Sequence, residues 1–419
     1  MSDERHAAVA QDERIALVLD AGGARSAYQV GALQVLLPEL ARRRQRPTLL
    51  IGTSAGGLLT AALAATAHLD AEEQAAHLLD VLRGATKKNV MQPLWRQAPA
   101  VVARYASETI GASRFRLRGF VGTGPLARTL ERSIDWDRLH RNVDDGVVEI
   151  AAVTATSVRT GWVTMFAEAT GAFGDLPTPP RAHHRRYAAT RLGVPHLLAS
   201  SAIPALFPSV EVTEPAEAAG WYVDGATRRR VPLAPALELG ADRVVVVGTG
   251  SLRPSEPDPE ADLGRVDLGD SGATLLGAVM DDPLRHDLRR LASLNGLVSD
   301  DAVRAGLDQH RARMNRPPYR ITPYAAVAPH TGEELAGVAM GVFRANHGLR
   351  GSLLDPDLQL VHRLLGSDSP LQGEMLSYLL FDPDFFDAAA DLGRREAEEW
   401  MADNPDLWRT APLPALTED

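Results

Sequence analysis

The chain has 419 residues, 45% apolar and 23% charged, with a net charge of −10 and no cysteine. A compact chain of this size buries roughly three quarters of its extended-chain surface, so a large core is available and the composition is that of a folded protein. The absence of cysteine excludes disulfide frameworks, thiolate zinc sites, iron–sulfur clusters and a cysteine nucleophile. The acidic balance argues against nucleic-acid binding, which needs a basic footprint.

Residues 1–13 mix charges of both signs and contain no apolar h-region. They read as a disordered tail rather than a secretory signal, and a cytoplasmic location is expected. Ile15–Leu19 is a short apolar run ending at Asp20 and the pair Gly22-Gly23, and a helical pattern through Tyr28, Leu33, Leu36 and Leu37 follows. Residues 48–51 read as a second buried strand, followed again by glycines and by a helix over 58–68. Two strand, glycine-turn, helix units in succession predict a parallel sheet with helices on its faces. The uncharged run 48–69 is long enough to cross a bilayer, but the glycines near its start favour a strand, a turn and a buried helix.

Further strands are expected at 147–154, 162–166, 221–223 and 243–248. No strand pattern occurs between 70 and 136, which predicts a helical, cap-like insert within a catalytic unit of 14–250. Residues 251–270, rich in Pro, Gly and Asp, read as an exposed loop or linker. Helical patterns at 274–297, 355–365 and 384–401, with a strand candidate at 319–324, predict a helical region over 271–402 packing on the core. Residues 403–419 are expected to be an acidic tail, and the oligomeric state is not legible.

Charge is unevenly placed. Residues 81–118 carry eight cations (Arg83, Lys87, Lys88, Arg96, Arg104, Arg114, Arg116 and Arg118) against Glu108, with Trp95, Phe115 and Phe120 among them. Arginines interleaved with aromatics suit peripheral contact with an anionic membrane, although a solvated charged face has the same composition. Residues 381–419 carry eleven carboxylates against Arg394, Arg395 and Arg409.

Three segments carry chemistry. Gly52-Thr53-Ser54-Ala55-Gly56 matches the G-x-S-x-G turn, in which small neighbours at Gly52 and Gly56 let a strand and a helix approach while a serine hydroxyl points outward. A strand precedes it and a helix follows, as that turn requires. Asp20-Ala21-Gly22-Gly23-Ala24-Arg25 ends the first strand; its consecutive glycines can converge backbone N–H groups on one anionic point, as a phosphate cradle or as an oxyanion hole. No Walker or dinucleotide glycine pattern is present. Trp221-Tyr222-Val223-Asp224-Gly225 places a carboxylate at the end of a short strand, where it would lie on the same rim of a parallel sheet as the other two turns. An Asp-Gly pair alone is usually just a turn.

Together these segments, in this order, resemble the patatin-like phospholipase family of lipid acyl hydrolases, as do Ala199-Ser200-Ser201-Ala202-Ile203-Pro204 and Leu376-Ser377-Tyr378-Leu379-Leu380-Phe381-Asp382. The resemblance implies a three-layer α/β/α fold with a mainly parallel central sheet, a helical cap insert and extra C-terminal helices. It further implies Ser54 as nucleophile, Asp224 as its base, backbone N–H groups around Gly22, Gly23 and Ala24 as the oxyanion hole with Arg25 beside it, a lipid or phospholipid substrate, and no cofactor or metal. The sequence departs from the family at Ala21, where the first of three glycines is common, and at Ser26, where another is. An L residue held at positive φ in either place costs about 1 kcal/mol or more and would distort the oxyanion loop. A catalytically weak lipid- or protein-binding relative, or a soluble carboxylesterase or thioesterase, are the alternatives.

A serine–histidine–aspartate triad is the other arrangement to weigh. His286, His310, His330, His347 and His362 follow Asp224, but none sits in a catalytic pattern. His183-His184-Arg185-Arg186 reads as an exposed loop, and no cluster has zinc or calcium spacing.

Overall fold

The structure, a computed structural model, describes residues 13–90, 122–204, 206–253, 284–347 and 371–416. The strands are β1 (Ile15–Leu19), β2 (Pro47–Thr53), β3 (Ile150–Ser157), β4 (Val163–Ala169), β5 (Arg185–Ala189), β6 (Val210–Val212), β7 (Gly220–Asp224), β8 (Arg243–Val247) and β9 (Tyr324–Val327). Helices of six residues or more are α1 (Ser26–Arg42), α2 (Ala55–Thr66), α3 (Ala71–Gly84), α4 (Gly124–Ser133), α5 (Trp136–Asp144), α6 (Val194–Ser200), α7 (Leu233–Glu238), α8 (Leu284–Ser299), α9 (Asp301–Arg313), α10 (Gly332–His347), α11 (Leu371–Leu379) and α12 (Pro383–Asp403).

The strands form one sheet in the order β5-β4-β3-β2-β1-β8-β9, with β7 joined to β3 and β6 to β7. The run β3-β2-β1-β8-β9 is parallel throughout. Every residue of β1 is buried, as expected of a central parallel strand covered on both faces. Helix α1 packs along α3 and α12, and α2 lies against β2, β3 and α5. The fold is thus the expected three-layer α/β/α arrangement, with a mainly parallel sheet and helices contributed by the C-terminal region.

One local departure sets the rest of the geometry. Strand β3 outlasts β2: β2 pairs with β3 only as far as Thr53 opposite Thr154. On its other edge, β3 pairs with β4 from Ile150 to Thr156. Strand β7 pairs with Ala155, Thr156 and Ser157. A residue offers its ladder bonds to one neighbour per edge, so β7 must occupy the lane in which β2 has just ended. It enters that lane antiparallel to β3, from beyond the rim, and stops with Asp224 opposite Ala155. The expectation of a carboxylate on the shared rim holds, but the strand carrying it runs the other way from the parallel strands.

Other expectations are corrected. Arg185 and Arg186, read as loop, belong to β5, where Arg185 is buried and ion-paired with Glu238 of α7. Among the described residues this strand pairs only with β4, and charges on an edge strand guard it against further pairing, which is why its sequence lacks a strand pattern. Strand β6, three residues long, is too short to show periodicity. Of the candidate at 319–324 only Tyr324 is in a strand, which continues to Val327 as β9. The uncharged run 48–69 is accounted for by β2, a turn and α2, and no helix of the described residues is long and apolar enough to cross a membrane.

The region beyond 250 is part of the same sheet, since β9 pairs in parallel with β8. The stretch read as an acidic tail lies against it: Tyr324 and Arg409 exchange backbone hydrogen bonds of 2.8 and 2.9 Å, and Leu407, Leu413 and Leu416 are buried. Residues 91–121 of the insert, 254–270 of the linker, the helix candidate at 355–365 and most of the N-terminal tail lie outside the described residues. The described flanks of the insert pack on the catalytic layers, α3 on α1 and α2, and α4 on α6.

Asn295 of α8 ties this region together. Its side chain donates to the Thr322 carbonyl and accepts from the Thr322 N–H, both at 2.9 Å, and it is fully buried. Replacing it by alanine leaves two buried backbone groups unpaired, each costing about 1–3 kcal/mol. Asn295→Ala is therefore expected to lower stability by about 2 kcal/mol or more, read as a lower urea midpoint at an unchanged slope.

Candidate active site

The polypeptide turns sharply after β2. Ser54 holds φ at +55° and ψ at −124°, and α2 starts at the next residue. A non-glycine residue in this conformation stores about 1–3 kcal/mol of strain, which surrounding contacts must hold. The Ser54 N–H donates to Ser200 Oγ at 2.9 Å, and that hydroxyl donates to the Thr154 carbonyl at 2.7 Å. The turn also needs its glycines. A methyl on Gly52 would meet the Gly56 carbonyl, and one on Gly56 would come within 2.6 Å of the Leu19 carbonyl. The elbow therefore sits directly against the end of β1, where the glycine loop begins.

Across the lane, Ser54 Oγ donates to Asp224 Oδ2 at 2.7 Å. The second carboxylate oxygen accepts from the Ala226 N–H at 2.7 Å, and the Asp224 N–H donates to the Ala202 carbonyl at 2.8 Å. Ser54 is 5% exposed and Asp224 3%. Burial pushes the Asp224 carboxyl up from its ordinary 3.8 to about 7, against the opposing pull of the Ser54 hydroxyl, the Ala226 N–H and the Arg230 charge.

The glycine loop follows β1. Residues 23–25 form a single 3-10 turn that runs into α1, with the Arg25 N–H donating to the Gly22 carbonyl at 2.9 Å. The first N–H groups of such a turn have no partner within it. Those of Gly22, Gly23 and Ala24 find no acceptor among the described residues. Gly23 is the loop residue at positive φ, +53°. Ser26 is helical at φ −59°, and Ala21 is not among the residues with positive φ. The two departures from the family pattern therefore fall where an L residue is unstrained.

Beneath the loop lies a buried polar network that leaves little trace in the sequence pattern. Asp20, with no exposure, accepts from Gln29 Nε2 at 2.8 Å and from the Thr249 N–H at 3.0 Å. Arg230 lies 3.5 Å from Asp20 and donates to the Ala21 carbonyl at 3.1 Å and to Thr249 Oγ1 at 2.9 Å. The legible signal would have been position: Asp20 and Thr249 both follow the carboxyl ends of parallel strands, the rim at which such sheets bind ligands. Ser200 was visible as part of a family-like segment, but no rule of spacing assigned it the elbow.

Among the described residues no imidazole contacts Ser54 or Asp224. The buried His196 instead pairs with the Gly193 N–H at 3.1 Å and the Glu214 carbonyl at 3.0 Å. His330, Glu334 and Glu396 come within 4.8 Å of one another, though no motif marks them. Glu396 also accepts from the Tyr28 hydroxyl, and burial pushes its carboxyl up to about 8. Of the basic segment, Arg83 is engaged by Asp387 of α12 at 3.0 Å, and Arg96 to Arg118 lie outside the described residues.

The family model of the patatin-like phospholipases matches residues 17–237, more than half of the chain. The chain belongs to that family, and so to the lipid acyl hydrolases as a class. The match includes the glycine loop, Ser54 and Asp224, and stops short of Leu376–Asp382. No curated protein matches the sequence. Among solved structures, VipD from Legionella pneumophila is similar over 94% of this chain and 67% of that one, at 12% identity and a TM-score of 0.34, a likeness too slight to speak to function.

Removing the Ser200 hydroxyl leaves the Ser54 N–H and one acceptor site of Thr154 unpaired. Ser200→Ala is expected to cost about 1–3 kcal/mol of stability and to slow modification of Ser54 by a serine-directed phosphonate, both measurable on the same preparation.

Proposed function

We propose that the protein is a serine lipid acyl hydrolase cleaving fatty-acyl esters of phospholipids or related lipids, with Ser54 as nucleophile and Asp224 as base. The observation that carries this reading is the 2.7 Å hydrogen bond between the two side chains, set in a buried site at a strained elbow. Family membership supports the acyl-ester chemistry and the lipid class of substrate.

The steps follow from the geometry. Asp224 takes the hydroxyl proton as Ser54 Oγ bonds to the ester carbonyl carbon, and the carbonyl electron pair moves onto oxygen. The free N–H groups of Gly22, Gly23 and Ala24, at the start of a helical turn, are the donors for that oxyanion. Collapse expels the alcohol, which receives the proton from Asp224 and leaves an acyl-Ser54. Water, deprotonated by Asp224, then releases the fatty acid. A carboxylate is a weaker base than imidazole, and burial corrects for this by raising its proton affinity to about 7.

Peripheral contact with anionic lipid through the basic segment 83–118 belongs to the same proposal, supported by its eight cations and interleaved aromatics. Ala21 and Ser26 impose no positive-φ strain on the loop, which supports the catalytic reading over the non-catalytic one.

Ser54→Ala and Asp224→Asn are each expected to lower turnover of a chromogenic ester by roughly a thousandfold or more. A fluorophosphonate should attach to Ser54 on peptide mapping, and attachment to another residue overturns the assignment. The base is the deprotonated carboxyl, so kcat/KM should rise with pH through about 7. Stability moves the opposite way. A carboxyl whose folded pKa is raised favours the fold below its unfolded value of 3.8, and that contribution is lost as pH climbs to about 7. Asp224→Asn should remove this part of the pH dependence, leaving the variant more stable than wild type at neutral pH in thermal unfolding.

A further inference from the structure

The segment 371–379 lies far beyond the residues matched by the family, yet it packs against the glycine loop. Arg25, 2% exposed, sends its guanidinium into α11. Nε donates to Ser377 Oγ at 2.5 Å, Nη1 to the Tyr378 hydroxyl at 3.1 Å, and Nη2 to the Glu374 carbonyl at 3.2 Å. The guanidinium carbon lies 4.0 Å from the centre of the Tyr378 ring, and the Glu374 carboxylate is 3.8 Å from Nη1. Outside α11, Arg25 reaches the Thr249 carbonyl at 3.5 Å.

The backbones also meet. A Cβ on Gly23 would lie 2.5 Å from the Tyr378 carbonyl oxygen. The residue whose positive φ shapes the loop is thus the one pressed against the helix. Ser377 has no exposure, and its hydroxyl donates to the Glu374 carbonyl at 2.5 Å, so its oxygen is oriented to receive Arg25.

We propose that Ser377 and Tyr378 are positioning residues for the oxyanion loop: α11 grips Arg25 and seats Gly23, and so sets the direction of the Gly22, Gly23 and Ala24 N–H groups. A catalytic unit ending near residue 250 is then incomplete, because the far end of the chain fixes its oxyanion donors. The inference rests on the Ser54–Asp224 reading and deepens it. A buried guanidinium deprived of a partner relaxes toward another, and because the Arg25 N–H closes the loop on the Gly22 carbonyl, the part of that relaxation taken up by the Arg25 backbone is passed to the oxyanion donors. Oxyanion stabilisation depends on donor placement at the scale of an ångström.

The test uses the full chain with a p-nitrophenyl ester, a fluorophosphonate and thermal unfolding. Ser377→Ala is expected to lower kcat by about tenfold or more with KM changed by less than about twofold, and to slow labelling of Ser54 in proportion. The midpoint of the pH profile should stay where it is, since the surroundings of Asp224 are untouched. Ser377→Thr, which keeps the hydroxyl, should recover most of the rate, and Tyr378→Phe, which keeps the ring, should fall between. Leu376→Ala is the control, a buried residue of the same helix whose side chain has no group to hydrogen-bond Arg25. If Leu376→Ala at a matched loss of Tm costs as much kcat, or if Ser377→Ala is labelled as fast as wild type, the proposal is overturned while the dyad stands. A wild type unlabelled at Ser54 overturns the dyad reading, and this one with it.

Discussion

The site depends on a mismatch in strand length. Strand β3 runs three residues past its pairing with β2, and the edge it leaves bare is taken by β7 from the opposite direction. Two strands that share one lane must meet head to head. The last residue of one and the first beyond the other are brought together by ladder hydrogen bonds, the least adjustable contacts in a sheet. Ser54 and Asp224, 170 positions apart in sequence, owe their contact to this arrangement rather than to any local motif. A one-residue slip of β7 would turn the carboxylate to the other face.

Several costs are concentrated at that junction. A serine held at positive φ, a buried carboxyl and a row of N–H groups with no acceptor among the described residues each work against stability. The parallel strands beneath are buried along their length and α2 is packed on them, so the costs fall on a foundation able to hold them. The Asp20, Arg230 and Thr249 network has the same role under the glycine loop, replacing water with fixed partners.

Much of this was legible in the sequence. The runs at 15–19, 48–51 and 243–248 have the apolar continuity of buried parallel strands, and each lies within or almost coincides with its observed element. The elbow was legible because only small residues fit it, and the position of Asp224 only through its order after the other two segments, since an Asp-Gly pair alone reads as a turn. The direction of β7 was not legible, since three or four alternating residues have no sense of orientation. Strand β5 was hidden by the arginines that protect its edge. The grip of α11 on Arg25 was hidden for another reason: hydrogen bonds between residues 352 positions apart leave no periodic trace.

The order in which the sheet's neighbours are made has a consequence for the nascent protein. Strand β1, wholly apolar, has one neighbour, β2, next in the chain, whereas its other neighbour, Arg243–Val247, is translated about two hundred residues later. Until then that flank of β1 has no native partner, and an apolar strand with an open edge is the feature that recruits chaperones or seeds aggregates. Expression of this protein should accordingly be governed less by the stability of its finished form than by how that early edge is sheltered.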